Sequence, residues 1–326
     1  MSKQSVLFSI LAIAVGLAAT SAEPAAADDW PNKPIRVIVP LGAGSATDIV
    51  PRTVFEQVSR QLGQPMIIEN RVGAGGTLGA GVVAKADADG YTILAHSSAQ
   101  TISPWIYPNL PYDTVRDFAG ITPLGSLPNV LVISPDKNIR AVQALVAVAK
   151  AKPGAMNYAS GGTGTPTHLN AERFRLAAGI DAQHIPFKGA PEALTEVMTG
   201  RVDYYFCPIL PALQFIRDGK LLALAVGSRN RVSLLPDIPT PIEAGFDNSD
   251  YNFWIGVYVP AKTPRAIVGR LHGEIITALK EPAVGEKLSK LGIEPMMMQP
   301  EEMDAYVVKE LQINAALVGA AGIGGK

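Results

Sequence analysis

A short β-branched run that ends in a glycine-rich loop and leads straight into an amphipathic helix restricts this chain most, because the pattern recurs. Residues 35–39 (IRVIV) read as a strand that Pro40 ends. A glycine loop follows, then Val50, Val54, Val58 and Leu62 recur every four residues to give a helix one apolar face, with Gly63 as its C-cap. Strands are expected again at 65–69 and 91–95, with a helix at 77–86 between them. After an irregular, proline-bearing stretch at 103–117 comes an apolar strand at 130–133, and the beat restarts. Helices are expected at 142–149, 168–178 and 193–198, and strands at 157–159, 184–187, 202–206 and 222–226. Pro236, Pro239 and Pro241 mark a connection to a strand at 254–259 and two closing helices, 265–280 and 300–317. Alternating strands and helices imply open α/β sheets with right-handed crossovers, here in two halves.

Residues 1–27 read as a secretory signal peptide. Lys3 is the only charge before Glu23, 6–17 is an apolar run, and Ala25 and Ala27 suit cleavage before Asp28. That run is short for a membrane anchor, which needs about 20 apolar residues. The mature protein is then exported and soluble. A net charge of −1 gives no electrostatic basis for holding nucleic acid. One cysteine and four scattered histidines provide neither an internal disulfide nor zinc-ligand spacing.

In open α/β sheets, ligands sit beyond the carboxyl ends of the strands, so the strand-to-helix loops carry the chemistry. The first loop contains Gly44, Ser45, Ala46, Thr47 and Asp48. Glycine backbone, hydroxyl donors and a helix N-terminus suit an anion. An ordinary loop with Thr47 or Asp48 as N-cap reads equally well. The loop has neither the Gly-Lys-Ser/Thr of a phosphate loop nor the third glycine of a dinucleotide fingerprint. The second loop, with Gly162, Thr163, Gly164 and Thr165, repeats the design in the other half. Ser97 and Ser98, after the third strand, are further candidate donors, and the glycines before Thr77 form either a third such loop or a packing turn. Lys188 would add positive charge or stay a solvated loop lysine; Cys207 would line the cleft or lie buried and inert. His168 reads as a first-turn helix residue rather than a base, since no G-x-S-x-G elbow supplies a nucleophile. An enzyme would need a nucleophile with its base, a metal set or a cofactor lysine, and none stands out.

The stretches WPNKPIRVIVP, QLGQPMIIENRVGAGGTLGA, ADGYTIL, YPNLPYDTVRDFAGIT, KPGAMNYASGGTGTPTHL, IPFKGA, LPDIPTPIEAGF and VPAKTP follow one another in this order. Together they resemble the solute receptors of tripartite tricarboxylate transporters, the Bug receptors. The resemblance implies an α/β, two-lobed, periplasmic-binding-protein type II fold, each lobe a mostly parallel sheet flanked by helices. The first lobe would hold 28–134 and 238–326, the second 135–237, with closure hinged at 130–135 and near Pro236. It implies a periplasmic, monomeric receptor without cofactor or metal that binds a small carboxylate. The bound acid would pass to a membrane permease of one large and one small subunit; a sensor for a signalling partner is the alternative. Carried over, Gly44, Ser45, Ala46 and Thr47 from the first lobe and Thr163, Gly164 and Thr165 from the second would hold the ligand, with the hydroxyls of Thr47 and Thr165 donating from opposite lobes. Two departures stand out. Leu41 replaces a common aromatic residue, and Cys207 replaces a common aspartate, which argues against amino-acid ligands and for a dicarboxylate or an aromatic acid.

Overall fold

The computed structural model describes residues 30–325; the expected signal peptide lies outside them. The first strand, β1 (Ile35–Val39), buries every side chain but Arg36, as a central strand covered on both faces must. Helix α1 (Ala46–Leu62) lays Val50, Val54 and Val58 inward, and Gly63 ends it in the left-handed conformation at φ 65°. Then come β2 (Met66–Asn70), α2 (Thr77–Ala84), β3 (Thr92–Ser97), α3 (Ala99–Ile106) and β4 (Phe118–Ser126). The next elements are β5 (Asn129–Ile133), α4 (Val142–Ala151), β6 (Met156–Ser160), α5 (Pro166–Ala178), β7 (Ala182–Pro186), α6 (Ala190–Met198), β8 (Tyr204–Pro208), α7 (Ile209–Arg217) and β9 (Leu222–Val226). The chain closes with β10 (Trp254–Pro260), α8 (Arg265–Lys280), α9 (Pro282–Lys290) and α10 (Pro300–Ala321).

The strands form two five-stranded sheets, ordered β2-β1-β3-β10-β4 and β7-β6-β8-β5-β9. The two orders match position for position, so the loops after β1 and β6 are topological equivalents. Each sheet is mixed rather than uniformly parallel. β10 is antiparallel to both of its neighbours in the first sheet, and β5 to both of its neighbours in the second. The other four strands of each sheet share one direction, which is the sense in which the expected mostly parallel sheets are present. Among the strands, edge strand β4 pairs with β10 alone, and its last residue, Ser126, bridges Glu294.

The chain changes sheets twice. Leu127 N–H donates to Phe253 O at 2.6 Å, Gly227 N–H to Asn129 O at 2.7 Å and Tyr251 N–H to Gly227 O at 2.8 Å, so the two crossings run side by side. Their positions differ from the boundaries expected at 134 and 238. β5 pairs within the second sheet, and Val232, Leu235, Ala244 and Phe246 pack into that sheet's two cores. The outward crossing therefore lies at 127–128 and the return near 251–253. α10 packs on β4 and α3, and its last turns reach α5, where Leu317 and Val318 join Ile102, Ile106, Leu169 and Tyr251 in one cluster.

Candidate ligand-binding site

The carboxyl ends of β1, β3, β6 and β8 face a shared cavity of about 460 Å³ between the sheets. α1, α3, α5, α6 and α7 all begin at its wall, where Ala46, Ala99, Pro166, Ala190 and Leu210 line it. Unsatisfied first-turn N–H groups and the positive end of the helix dipole make such a convergence attractive to an anion.

The first loop supplies the open donors. Gly44, at φ 78°, makes a turn that only glycine adopts without strain. Its N–H donates to Asp48 Oδ2 at 2.9 Å, and Asn70 Nδ2 ties Asp48 Oδ1 to the Leu41 carbonyl, each at 2.9 Å. Arg52 completes the clasp on Asp48 at 2.9 Å. Burial pushes the Asp48 carboxyl up, but its bonds to Arg52, Asn70 and Gly44 outweigh that and hold it below the usual range. Asp48 thus braces the loop from behind and does not line the cavity. Ser45, at the N-cap, makes no capping bond; its Oγ is buried without a partner and Ser45 lines the cavity. Thr47 also lines it and is 1% exposed. Among the described residues, the Thr47 hydroxyl and the N–H groups of Ala46 and Thr47 have no protein acceptor.

The second loop is braced internally. Thr165 Oγ1 donates to Gly162 O at 2.7 Å and lies 3.0 Å from Thr167 Oγ1, while Gly161 N–H donates to Thr167 Oγ1 at 2.9 Å. Thr165 lines the cavity as expected, but its proton is committed to the loop; the expected donation from Thr165 to ligand is not available in this conformation. Gly162, Thr163 and Gly164 turn away from the cavity. Thr163 is exposed and faces a recess on the outer side, and Gly164, at φ 75°, packs against Ile106. Tyr107 Oη, from the first lobe, donates to the Thr163 carbonyl at 3.3 Å.

Ser97 lines the cavity, and its Oγ accepts from Ala99 N–H at 3.3 Å, which leaves its own proton free to donate. Ser98 is buried and does not line it. Lys188 does, and among the described residues it is the only charged side chain that does. Cys207 is fully buried in the core with Val130 and Val226, where burial pushes its thiol well above the usual range. It does not line the cavity: it shares its face of β8 with Tyr205, two residues earlier, but sits within the core among Val130, Val226, Ala212 and Leu213. Sequence reasoning missed Tyr205, Thr167, Leu210, Pro211 and Phe253, which line the cavity. The one sequence signal for them is position: Tyr205 stands two residues before Cys207, and Thr167 two after Thr165.

Two sheets crossed twice by the chain, with a donor-lined cavity where their strands end, define a periplasmic-binding-protein type of solute receptor. Residues 50–323 match the profile of the tripartite tricarboxylate transporter family receptor, and the chain belongs to that family. It is 33% identical to BugT of Bordetella pertussis over 97% of both chains. A Rhodopseudomonas palustris protein solved with adipate superposes with TM-score 0.86 at 28% identity, covering 91% of this chain and 99% of that one. MatC from Rhodopseudomonas palustris, solved with malate, superposes with TM-score 0.80 at 28% identity, covering 89% and 100%. Among the described residues no helix is long and apolar enough to cross a membrane.

Proposed function

We propose that this chain is an exported periplasmic receptor that takes a small organic carboxylate into the inter-lobe cavity and delivers it to a membrane permease of one large and one small subunit. The observation that carries the reading is the donor set at the start of α1: the buried Ser45 hydroxyl and the unpaired N–H groups of Ala46 and Thr47, in a cavity lined by no acidic side chain. A carboxylate placed there gains charge-assisted hydrogen bonds without an arginine. Relatives solved with adipate and malate support this ligand class. Leu41, Ile49, Leu210, Pro211 and Phe253 line the cavity with apolar surface. That favours a plain dicarboxylate such as adipate over hydroxy acids, and it equally favours an aromatic carboxylate as a second reading. The protein acts as a monomer, the lobes closing about the paired crossings at 127–128 and 251–253.

The test is calorimetry with adipate, malate, succinate and benzoate in the presence of a chelator. Saturable binding of at least one acid is expected, together with a smaller radius of gyration by solution scattering. Failure of all carboxylates to bind, alongside tight binding of a cation or a neutral solute, would overturn the reading.

A further inference from the structure

Behind the second loop lies a group of side chains that take no part in lining the cavity. The rings of His168 and His184 stack with centroids 3.8 Å apart and planes inclined by 12°. His168 Nδ1 accepts from Gly164 N–H at 3.2 Å. His184 Nε2 and Ser160 Oγ share a hydrogen bond of 2.6 Å, and Ser160 Oγ also accepts from Gly162 N–H at 3.0 Å. Two imidazoles from different elements, α5 and β7, thus hold two glycine N–H groups of the same loop, His168 that of Gly164 directly and His184 that of Gly162 through Ser160.

We infer that His168 and His184 are positioning residues: as a neutral stacked pair they fix the 161–165 loop so that Gly161, Thr165 and Thr167 keep their internally bonded arrangement, and with it the shape of the cavity wall that meets the ligand. The inference rests on the receptor reading above for what the loop binds, and on geometry for how the loop is held. Gly162 and Gly164 have backbones free enough to take up several conformations, so a loop built on them needs fixing from outside. His168 can accept only while its Nδ1 is bare. A proton there would confront the Gly164 N–H with a second donor and place a cation against the partner ring.

The surroundings keep the pair neutral. Tyr158 of β6 stacks on His184 at 5.1 Å and donates its hydroxyl to Glu172, which also pairs with Arg175 at 2.7 Å. Tyr204 of β8 stacks behind Tyr158. Asp181 faces the same outer recess, and the end of α10 and the residues just after it add only the uncharged Ala321 and Ile323. Burial, helped by His184 and Arg175, holds His168 at about 3. Burial, partly offset by Glu172, holds His184 at about 4.

The experiment compares His168→Leu with His168→Asn, whose Oδ1 can stand where Nδ1 stands, and His184→Leu with His184→Gln. Amide hydrogen exchange of the loop, corrected for its intrinsic pH dependence, is read on ligand-free protein. Each leucine variant should speed exchange at Gly162 or Gly164 about tenfold, as expected for one lost hydrogen bond, and the amide variants should restore it to within about threefold. Adipate and benzoate binding should weaken in parallel. In wild-type protein the loop's protection should fall as pH drops toward 4, and His168→Asn should flatten that limb. Wild-type exchange in the leucine variants, or an asparagine variant that behaves like leucine, would overturn the inference. If the leucine variants fail to fold, the wild-type acid limb against His168→Asn decides alone, and an unchanged limb overturns it. Protein that shows the exchange pattern but binds no carboxylate refutes the receptor reading while supporting the loop assignment.

Discussion

Removing the Ser45 hydroxyl separates a ligand contact from a structural role. Serine at an N-cap ordinarily stabilises its helix by about 1 kcal/mol through a bond to the first turn. Here that bond is not made; Oγ is buried, unpartnered and at the cavity wall. Ser45→Ala therefore deletes no protein hydrogen bond. It removes a desolvated polar atom, so the ligand-free protein should keep its melting temperature to within about 2 °C, since 1 kcal/mol shifts a chain of this size by about 2–4 °C. A hydroxyl donating to a carboxylate contributes about 1.5–3 kcal/mol, which predicts a loss of affinity of about 10- to 100-fold. Thr165→Val should lower both stability and affinity. It breaks the 2.7 Å bond to Gly162 O, so its melting temperature should fall, and its loss of affinity should come through the loosened loop. Differential scanning calorimetry and titration calorimetry on both variants read the two quantities. A Ser45→Ala protein that melts several degrees lower and binds normally would refute the reasoning.

Lys188→Met should slow association and weaken binding by up to about tenfold, with the difference shrinking at high salt, because Lys188 is exposed at the cavity rim; stopped-flow kinetics at two ionic strengths checks this. Cys207→Ser should lower stability by about 1–3 kcal/mol in urea melts, since the new hydroxyl would be buried among Val130, Val226 and Leu213, and should leave affinity intact. Two buried histidines, His96 and His168, and the half-buried His184 should make the protein acid-sensitive. Their folded values lie near 3 for His96 and His168 and near 4 for His184, below the ordinary 6.5, so the unfolded chain takes up protons first and stability should fall as pH drops from about 6.5 toward 4. Melting temperatures measured across that window test it, and a flat profile would contradict the burial of these rings.

The elements legible in the sequence were those whose apolar spacing was regular. β1, α1 and Gly63 fell where expected because strand period, helix period and cap agreed. β4 and α3 went unread because each carries a proline, Pro123 and Pro104, within a stretch rich in small residues. Pro123 is tolerable because β4 is an edge strand, a fact about topology that local pattern does not carry. α7, with Pro211 in its first turn, and the short α9 were missed on the same grounds. The lobe boundary shifted because the run at 130–133 reads alike in either sheet; only its pairing with β8 and β9 decides. The position of Ser45, Thr47 and Lys188 at the cavity wall was legible because loop placement after a strand is local. The bond of Thr165 depends on the loop's backbone conformation, and the burial of Cys207 on core residues far along the chain, neither of which residue type reveals.

The pairing of β4 with β10 alone sets the timetable by which this chain can mature. A polypeptide is synthesised amino end first, yet β4 has no strand partner until residues 254–260 arrive. The second sheet uses only strands between 129 and 226, a continuous block. It can close before the first sheet, which waits for β10, is complete. During that interval the apolar face of β4 stays open to misplaced partners, and its glycines and Pro123 make it a poor template for them.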